Sequence, residues 1–360
     1  MASIVRQRYA IQSEGGTMSE RKSRRGWTGV LVLLIALIFV VLIRLLLPSS
    51  FRGETLPNPN GYDDLIAASK TVTGNVLTVT ELEKADTEEL RALIGKNREA
   101  LARASVGLGR QSVVALAKSP SVEAHFENFG ALRTLGRLLA CEAALIDLEG
   151  HAPEAARLYG NVIRYGRAIS DGGVLPERLA EGPVQHAGLQ GLNRLIPTLS
   201  ANESQQLAKE FERLDRDREP LAHVFDRDLE FNLARGGWPA RAAYYLHRKS
   251  MQTMLSPAKA AAEKADRLNQ IWLRLFASAL ALRAYRLDHP DAPVPPTLDA
   301  LVPTYLEAVP FDPFSQGPLK FKVQGDTVQV YSVGSNGRDD GGTVSPSRNP
   351  AEGDLRLESP

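Results

Sequence analysis

The chain has only one cysteine among its 360 residues, which excludes an intrachain disulfide. Aromatic residues are also scarce, at 6% of the sequence. With few aromatic side chains and abundant alanine and leucine, the composition favours helices over sheets. The net charge is +1, and the part after residue 47 is net negative. Nucleic-acid binding needs a clustered basic surface, so we expect no nucleic-acid partner.

Motifs for catalysis are missing as well. The sequence contains no HExxH, CxxC or GxSxG motif and no phosphate-binding loop, so we assign no catalytic residue. One side of a predicted helix carries an imidazole and three carboxylates: Glu219, His223, Asp226 and Glu230. Such a stripe binds a metal when a second helix supplies a Glu-x-x-His pair. That pair is missing, so the stripe favours solvent-exposed ion pairs.

The cysteine lies in the apolar run LLACEAAL. A thiol in such a helical run behaves as a small apolar side chain. We therefore expect Cys141 to be a buried core residue and not a reactive thiol.

The longest apolar run spans residues 27–47, WTGVLVLLIALIFVVLIRLLL. A helix of about 21 residues, at ~1.5 Å per residue, is ~30 Å long and matches the hydrocarbon core of a bilayer. Trp27 suits one interface, and Arg44 can extend its guanidinium to the other. Because a soluble helix of this length has a polar face, the run predicts a transmembrane helix.

Flanking charge predicts the orientation of this helix. Residues 1–26 form a basic tail with six basic and two acidic side chains, and RKSRR directly precedes the apolar run. The positive-inside rule places the tail in the cytoplasm and residues 48–360 outside, as in a single-pass cell-membrane protein. Two alternatives remain, a cleaved signal peptide and a twin-arginine signal at Arg24–Arg25. No cysteine lies near the run, which excludes a lipoprotein.

Beyond the anchor, composition divides the chain into three parts. Residues 48–62 are rich in Pro, Gly, Ser and Asn and predict a spacer. Residues 63–256 predict an extracytoplasmic helical domain, and residues 257–360 predict a long helix followed by a small α+β module. Together these parts predict a mainly α protein with a short antiparallel sheet at its C-terminal end.

Periodicity and turn signals place the individual elements. Helices are expected over residues 63–70, 87–105, 122–149, 153–169, 174–196, 202–216, 220–236 and 257–288. Asp63 or Asp64 is expected to cap the first helix and Thr87 the second. Residues 71–80 read as an extended connection. Strands are expected over residues 318–323, 327–333 and 354–357.

One helical pair resembles a repeat unit. Residues 138–166 combine small side chains, a short turn containing Gly150 and an A-x-x-x-Y pattern. This resembles one hairpin of a tetratricopeptide-type repeat and predicts an antiparallel helical array. The sequence shows no second unit about 34 residues away, so a true repeat array is not implied.

The C-terminal part contains a series of motifs in a fixed order. Residues 281–342 include ALRAYR, PPTLDALVP, VPFDP and YSVGSNG. In order and spacing they resemble the C-terminal module of the major pseudopilin of type II secretion. Residues 58–64 and the helical middle resemble membrane-anchored bacterial proteins of no established activity that carry this ending. No G-F-T-x-x-E site precedes the apolar run, so the resemblance does not extend to pseudopilin processing.

The resemblance also implies a metal. In pseudopilins the loop after Y-S-x-G holds calcium through backbone carbonyls and acidic side chains. Carried over to this chain, the ligands are Val333, Asp339, Asp340 and Asp354. Hard oxygen donors on a glycine-rich loop suit calcium. The alternative is a simple hairpin turn, because Asn-Gly is by itself a strong turn signal.

These observations indicate a non-enzymatic protein of the cell envelope, anchored in the membrane. We expect a binding or structural element that docks an envelope protein through a helical groove. One alternative is an envelope hydrolase whose site is assembled from dispersed polar residues in the helical domain. Another, which rests on the resemblance, is a component of a secretion or pilus-like assembly.

Overall fold

A computed structural model describes residues 55–82, 84–116, 122–325, 327–344 and 353–357. Within these ranges the chain is mainly helical and ends in small antiparallel sheets, as predicted. Of the described residues, Asn232–Thr253 form one compact unit and the rest form another. The predicted tail and transmembrane helix lie outside the described residues. Within the described part, no helix is both long and apolar enough to cross a membrane.

The helices follow one another with short connections. In chain order they are α1 (Gly61–Ser69), α2 (Val79–Leu82), α3 (Thr87–Lys96), α4 (Arg98–Leu108), α5 (Val122–Leu148), α6 (Ala152–Ala168), α7 (Leu175–Leu195), α8 (Ala201–Arg216), α9 (Leu221–Arg235) and α10 (Gly237–Asp288). Two 3₁₀ turns occupy Ile196–Thr198 and Leu298–Leu301. The predicted helices are therefore present, with differences at several ends.

The start of the domain differs from the prediction. The spacer was expected to continue through residue 62, with Asp63 or Asp64 as the cap. Instead, the buried Asn60 caps α1. Its side-chain amide also donates to the Val113 carbonyl at 2.8 Å, and its Oδ1 accepts from the Val113 N–H at 3.0 Å. Asn60 thus joins α1 to the segment after α4.

The helix predicted over residues 87–105 is divided into α3 and α4. It begins one residue after Asp86, whose Oδ1 accepts from the Glu89 N–H at 2.7 Å, so the cap predicted at Thr87 was wrong. The division lies at the buried Asn97. The Asn97 side chain exchanges two hydrogen bonds with the Thr73 backbone, at 2.8 and 3.0 Å. An asparagine that bonds a neighbouring segment in this way competes with helix continuation.

The long helix near the C-terminal end starts earlier than predicted. The break expected at Gly236 and Gly237 is present, and Gly237 has a positive φ of 64°. The chain resumes a helical path immediately, so α10 begins at Gly237 and not near residue 257. Its helical geometry is interrupted once, at His247.

The core of the larger unit joins the helices to the C-terminal module. Apolar side chains of α5 to α8 and α10 pack with residues that follow α10, including Leu301, Tyr305 and Val328. Phe211 and Ile271 are completely buried at the centre of this cluster. Full burial of such a side chain contributes roughly 1.5–3 kcal/mol, so this shared core is the main source of stability. The division predicted between residues 256 and 257 stays a prediction.

Two small antiparallel sheets form the module. In one, β1 (Phe311–Asp312) pairs with β2 (Gly317–Pro318). In the other, β4 (Thr327–Ser332) lies between β3 (Lys320–Gln324) and β5 (Leu355–Arg356). The buried Asp312 carboxylate accepts from the Ser332 hydroxyl and the Val333 N–H, each at 3.0 Å. This carboxylate therefore joins the VPFDP and YSVG motifs.

Candidate functional site

The loop predicted to hold calcium brings three aspartates together. Asp354 is buried, and its carboxylate accepts from the Asp340 N–H at 3.2 Å and from the Gly342 N–H at 2.7 Å. Asp339 accepts from the Gly341 N–H and the Tyr331 hydroxyl, at 3.1 and 3.0 Å. The loop is thus closed by backbone N–H groups that point at carboxylate oxygens.

Hydrogen bonding lowers the pKa values of Asp339 and Asp354, and burial raises them. The Gly341 N–H, with smaller contributions from Tyr331 and Lys320, lowers the pKa of Asp339 below its ordinary value. Burial raises the pKa of Asp354, although the Gly342 and Asp340 N–H groups partly offset it. Asp339 is therefore the more firmly ionised of the two side chains.

The oxygen donors of this loop are of the kind that calcium uses, but they are already engaged by N–H groups. The Lys320 ammonium lies 3.6 Å from Asp339, and the Lys322 ammonium donates to the Gly341 carbonyl at 3.1 Å. Val333 is buried, and its N–H donates to Asp312. In the described ranges, no group of three or more His, Cys, Asp or Glu side chains is arranged to hold a metal ion. Calcium stays a prediction.

The stripe on α9 is accessible to solvent over most of its length. His223, Asp226 and Glu230 are exposed. Glu219 is half-buried and accepts from the Arg227 guanidinium at 3.0 Å. The exposure of these three side chains agrees with the predicted solvated stripe, but the ion pair of Glu219 with Arg227 is largely buried.

A second group of charged residues was not anticipated. Two arginines and two carboxylates form a buried ionic cluster inside the larger unit: Arg178, Glu181, Arg218 and Asp266. Arg218 donates to Glu181 at 2.9 Å and to Asp266 at 2.8 Å, while Arg178 donates to Asp266 at 2.7 Å. None of the four side chains is more than 7% exposed. One signal was visible in the sequence, because Arg178 and Glu181 are three residues apart, but that spacing on a helix usually marks a solvent-facing pair.

Electrostatics keep this cluster ionised. Burial alone would raise the pKa of Asp266, but the charge of Arg218 and the hydrogen bond from Arg178 hold it below its ordinary value. Burial lowers the pKa of Arg218, and the Glu181 and Asp266 charges more than compensate. Two cations and two anions neutralise one another away from water. Because acid–base catalysis needs a group within reach of a substrate, this cluster suits a structural role.

A further buried pair lies at the start of α7. His125 Nε2 and Glu177 Oε1 are 2.7 Å apart, and both side chains are almost completely buried. The other Glu177 oxygen accepts from the Val174 N–H at 3.1 Å. Glu177 therefore connects α5 to the first turn of α7.

A groove of about 430 Å³ lies between α2, α5 and α7. Its lining is mainly apolar and includes Leu77, Val79 and Val184, with Arg133 and Arg137 as charged members. Among the described residues, no carboxylate, imidazole or thiol contributes to this lining. Docking of an envelope protein through a helical groove stays a prediction.

A larger space of about 740 Å³, here called the helix–sheet cleft, lies beside β4. Apolar side chains of α10 form part of the lining, together with Arg283, Arg286 and Arg356, and no acidic residue among the described ones contributes. Within the described residues, Arg286 and Arg356 have no carboxylate partner. The described part of the cleft therefore presents uncompensated positive charge next to an apolar surface.

Along this cleft, one edge of β4 has no partner strand among the described residues. Tyr331 and Ser332 pair with β5, whereas residues 327–330 pair only with β3 among the described strands. Residues 327–330 all line the cleft. Such an edge presents unpaired N–H and C=O groups that can accept another strand.

No known protein family, curated protein or solved structure showed significant similarity to the chain.

Proposed function

We propose that the chain is a non-enzymatic protein of the cell envelope, anchored in the membrane by residues 27–47. Its helical domain and C-terminal module lie outside the cytoplasm. There it binds an extended acidic segment of another envelope protein in the helix–sheet cleft. The observation that carries this proposal is made on the described residues: one cleft combines a strand edge that no described strand covers with three arginines and no described acidic residue.

Strand addition explains why the occupant is extended. An added strand gains main-chain hydrogen bonds from the sheet edge and specificity from alternate side chains. Residues 327–330 offer about 13 Å of edge at ~3.3 Å per residue. An extended acidic segment fits both this edge and the neighbouring guanidiniums, since arginine binds carboxylates through paired N–H donors.

The buried ionic cluster supports the non-enzymatic reading over the hydrolase. Its carboxylates are saturated by arginines and sealed from solvent, so they have no access to a substrate. Among the described residues, the linings of the two open grooves contain neither carboxylates nor imidazoles. A binding surface accounts for these features with fewer assumptions than a catalytic site does.

Peptide binding to the full-length chain in a non-ionic detergent tests the proposal. The probe is a fluorescent peptide of alternating valine and glutamate, with a valine–lysine peptide as the charge control. We expect the acidic peptide alone to bind. N-methylation of the nitrogens that face β4 should abolish binding, whereas methylation of the alternate nitrogens should leave it, because only one edge of a strand bonds to the sheet.

The protein variants supply the second half of this test. Arg286→Glu together with Arg356→Glu should weaken binding at least tenfold, and the exposed Arg338→Glu should leave it unchanged. Equal binding of the two N-methylated peptides would exclude strand pairing. The acidic peptide could also bind only to a variant that ends at Leu357. This result would show that the chain's own residues after Leu357 occupy the β4 edge, and it would overturn the proposal of a partner.

Three finer features are proposed along with this function. The α5–α6 pair is proposed as a tetratricopeptide-like hairpin, because it connects two packed helices through Gly150, which has a φ of 83°. The C-terminal module is proposed to be related to that of the major pseudopilin. Calcium is proposed to bind the acidic loop through the exposed carboxylates of Asp339 and Asp340, with Asp354 as the loop's inner acid. The ion would replace the present hydrogen bonds of Asp339 and Asp340.

A further inference from the structure

The smaller unit presents large apolar side chains to solvent. In α10, Trp238 is 58% exposed, Tyr245 is 67% exposed and Leu246 is 78% exposed. Trp238 and Tyr245 are seven residues apart, so they lie on the same side of the helix. Single exposed apolar residues are common on soluble proteins, but a tryptophan, a tyrosine and a leucine within nine residues form a concentrated group.

Charge in the described part of this unit has one sign only, because Asn232–Thr253 contain no aspartate or glutamate. The basic members of this stretch are Arg235, Arg241, Arg248 and Lys249. Arg248 and Lys249 are exposed and directly follow the group of apolar side chains. The surface therefore combines exposed aromatic side chains with the exposed positive charge of Arg248 and Lys249.

We propose that residues 237–253, here called the aromatic–basic segment, lie on the surface of an anionic lipid membrane. Tryptophan and tyrosine prefer the headgroup region, where their rings meet apolar chains and their polar atoms meet water. Basic side chains beside them are attracted to anionic headgroups, and each contributes roughly fivefold to binding. The absence of acidic residues from the segment removes the repulsion that would oppose this contact.

This inference adds a second membrane contact to the proposed anchor. The inference rests on the proposed function in one respect, because the anchor would hold the domain close to the lipid surface. It does not depend on the helix–sheet cleft, whose residues belong to the other compact unit.

Site-directed spin labelling tests the contact on the full-length chain in vesicles. Leu246→Cys in a Cys141→Ala background accepts one nitroxide label. Vesicles contain either phosphatidylcholine alone or an equimolar mixture with phosphatidylglycerol. We expect collisions with oxygen, which concentrates in lipid, to increase in the anionic vesicles. Collisions with a neutral nickel chelate, which stays in water, should decrease.

Two controls decide the result. A label at the exposed Arg103 of α4, as Arg103→Cys, should report water in both vesicles. Arg248→Glu with Lys249→Glu should return the label at position 246 to water, with the label at position 103 unchanged. A label at position 246 that stays in water in both kinds of vesicle would overturn the inference. Lipid contact that is equal with and without phosphatidylglycerol would overturn it as well.

Flotation of the same samples separates the two proposals. If the chain floats with vesicles but the label at position 246 stays in water, the anchor is supported and the aromatic–basic segment is not. If removal of residues 27–47 leaves flotation in anionic vesicles that needs Arg248 and Lys249, the segment binds lipid by itself. If another protein surface covered the label, collisions with both oxygen and the nickel chelate would be reduced in both kinds of vesicle. That result would overturn the inference.

Discussion

The Arg218 guanidinium donates a hydrogen bond of 2.9 Å to Glu181 although both side chains are almost completely buried. Arg218 lies in the connection between α8 and α9, and Glu181 lies on α7. A second bond, to Asp266, reaches α10. One guanidinium thus fixes the relative positions of three parts of the larger unit. Removal of a buried partner leaves charges without compensation, so this contact is sensitive to mutation.

We expect Arg218→Met to destabilise the protein strongly. The substitution keeps much of the side-chain volume but leaves Glu181 and Asp266 with fewer partners. Breaking a buried ion pair typically costs about 3–5 kcal/mol, and urea unfolding followed by circular dichroism measures the loss.

Arg216→Met is the matched control for this prediction. Arg216 is exposed and lies 3.2 Å from Asp217, also exposed. Exposed ion pairs contribute little, so its unfolding midpoint should stay close to that of the unmodified chain. If both substitutions lowered the unfolding midpoint equally, the buried ionic cluster would contribute no more to stability than an exposed ion pair does.

A pair of glycine substitutions should change stability in opposite directions. A Cβ atom at Gly191 would lie only 2.1 Å from the Tyr159 ring, so Gly191→Ala forces the core apart. Such overpacking costs about 1–3 kcal/mol. Gly95 lies in α3 with no atom within 4 Å of the added Cβ, so Gly95→Ala should stabilise by roughly 0.5–1 kcal/mol. Thermal unfolding of both variants measures the contrast, and a stabilising Gly191→Ala would contradict the close packing of α6 on α7.

The buried thiol should resist alkylation. Burial raises the pKa of Cys141 to about 11, in agreement with its predicted place in the core. At pH 8 only about one molecule in a thousand would then carry the reactive thiolate. We expect iodoacetamide to modify Cys141 rapidly in urea and very slowly in the folded protein, as mass spectrometry would show. Rapid modification of the folded chain would contradict the burial.

The same thiol should make stability depend on alkaline pH. The folded protein binds the thiol proton more tightly than the unfolded chain, whose pKa is 9.0. This contribution to the free energy of unfolding is therefore complete below pH 9 and is lost as the pH rises to about 11. A shift of this size corresponds to about 2–3 kcal/mol. Cys141→Ala should show a shallower decrease over this range, and parallel pH profiles would contradict the prediction.

Calcium titration tests the acidic loop. A ligand that binds only the folded state stabilises it by ~2.7 kcal/mol at about 100 times its dissociation constant. We expect calcium to raise the thermal midpoint of the full-length chain relative to a chelator. Asp339→Asn with Asp340→Asn should abolish the rise, because both side chains are exposed and their loss should leave the fold intact. An unchanged midpoint would leave the loop as a turn closed by hydrogen bonds to Asp354.

Local patterns in the sequence were sufficient to predict most elements. Periodicity placed the long helices, and Gly150 correctly marked the end of α5 within two residues. Polar residues with distant partners were not predictable in the same way. Asn97 divides a helix because it bonds Thr73, and nothing in the local sequence indicates that contact. Arg218 is likewise separated from Glu181 by 37 residues and Arg178 from Asp266 by 88 residues, so their meeting depends on the complete fold.

The bonds between Asn60 and Val113 have a mechanical consequence. Together with the bond of 2.8 Å from the Gly61 N–H to the Gln111 carbonyl, they join the start of α1 to residues 111–113, which follow α4. A pull on the chain before Asn60 would load these hydrogen bonds together and not one after another. A pulling force applied on that side would therefore be carried by these hydrogen bonds, and through them by residues 111–113, before α1 unwinds.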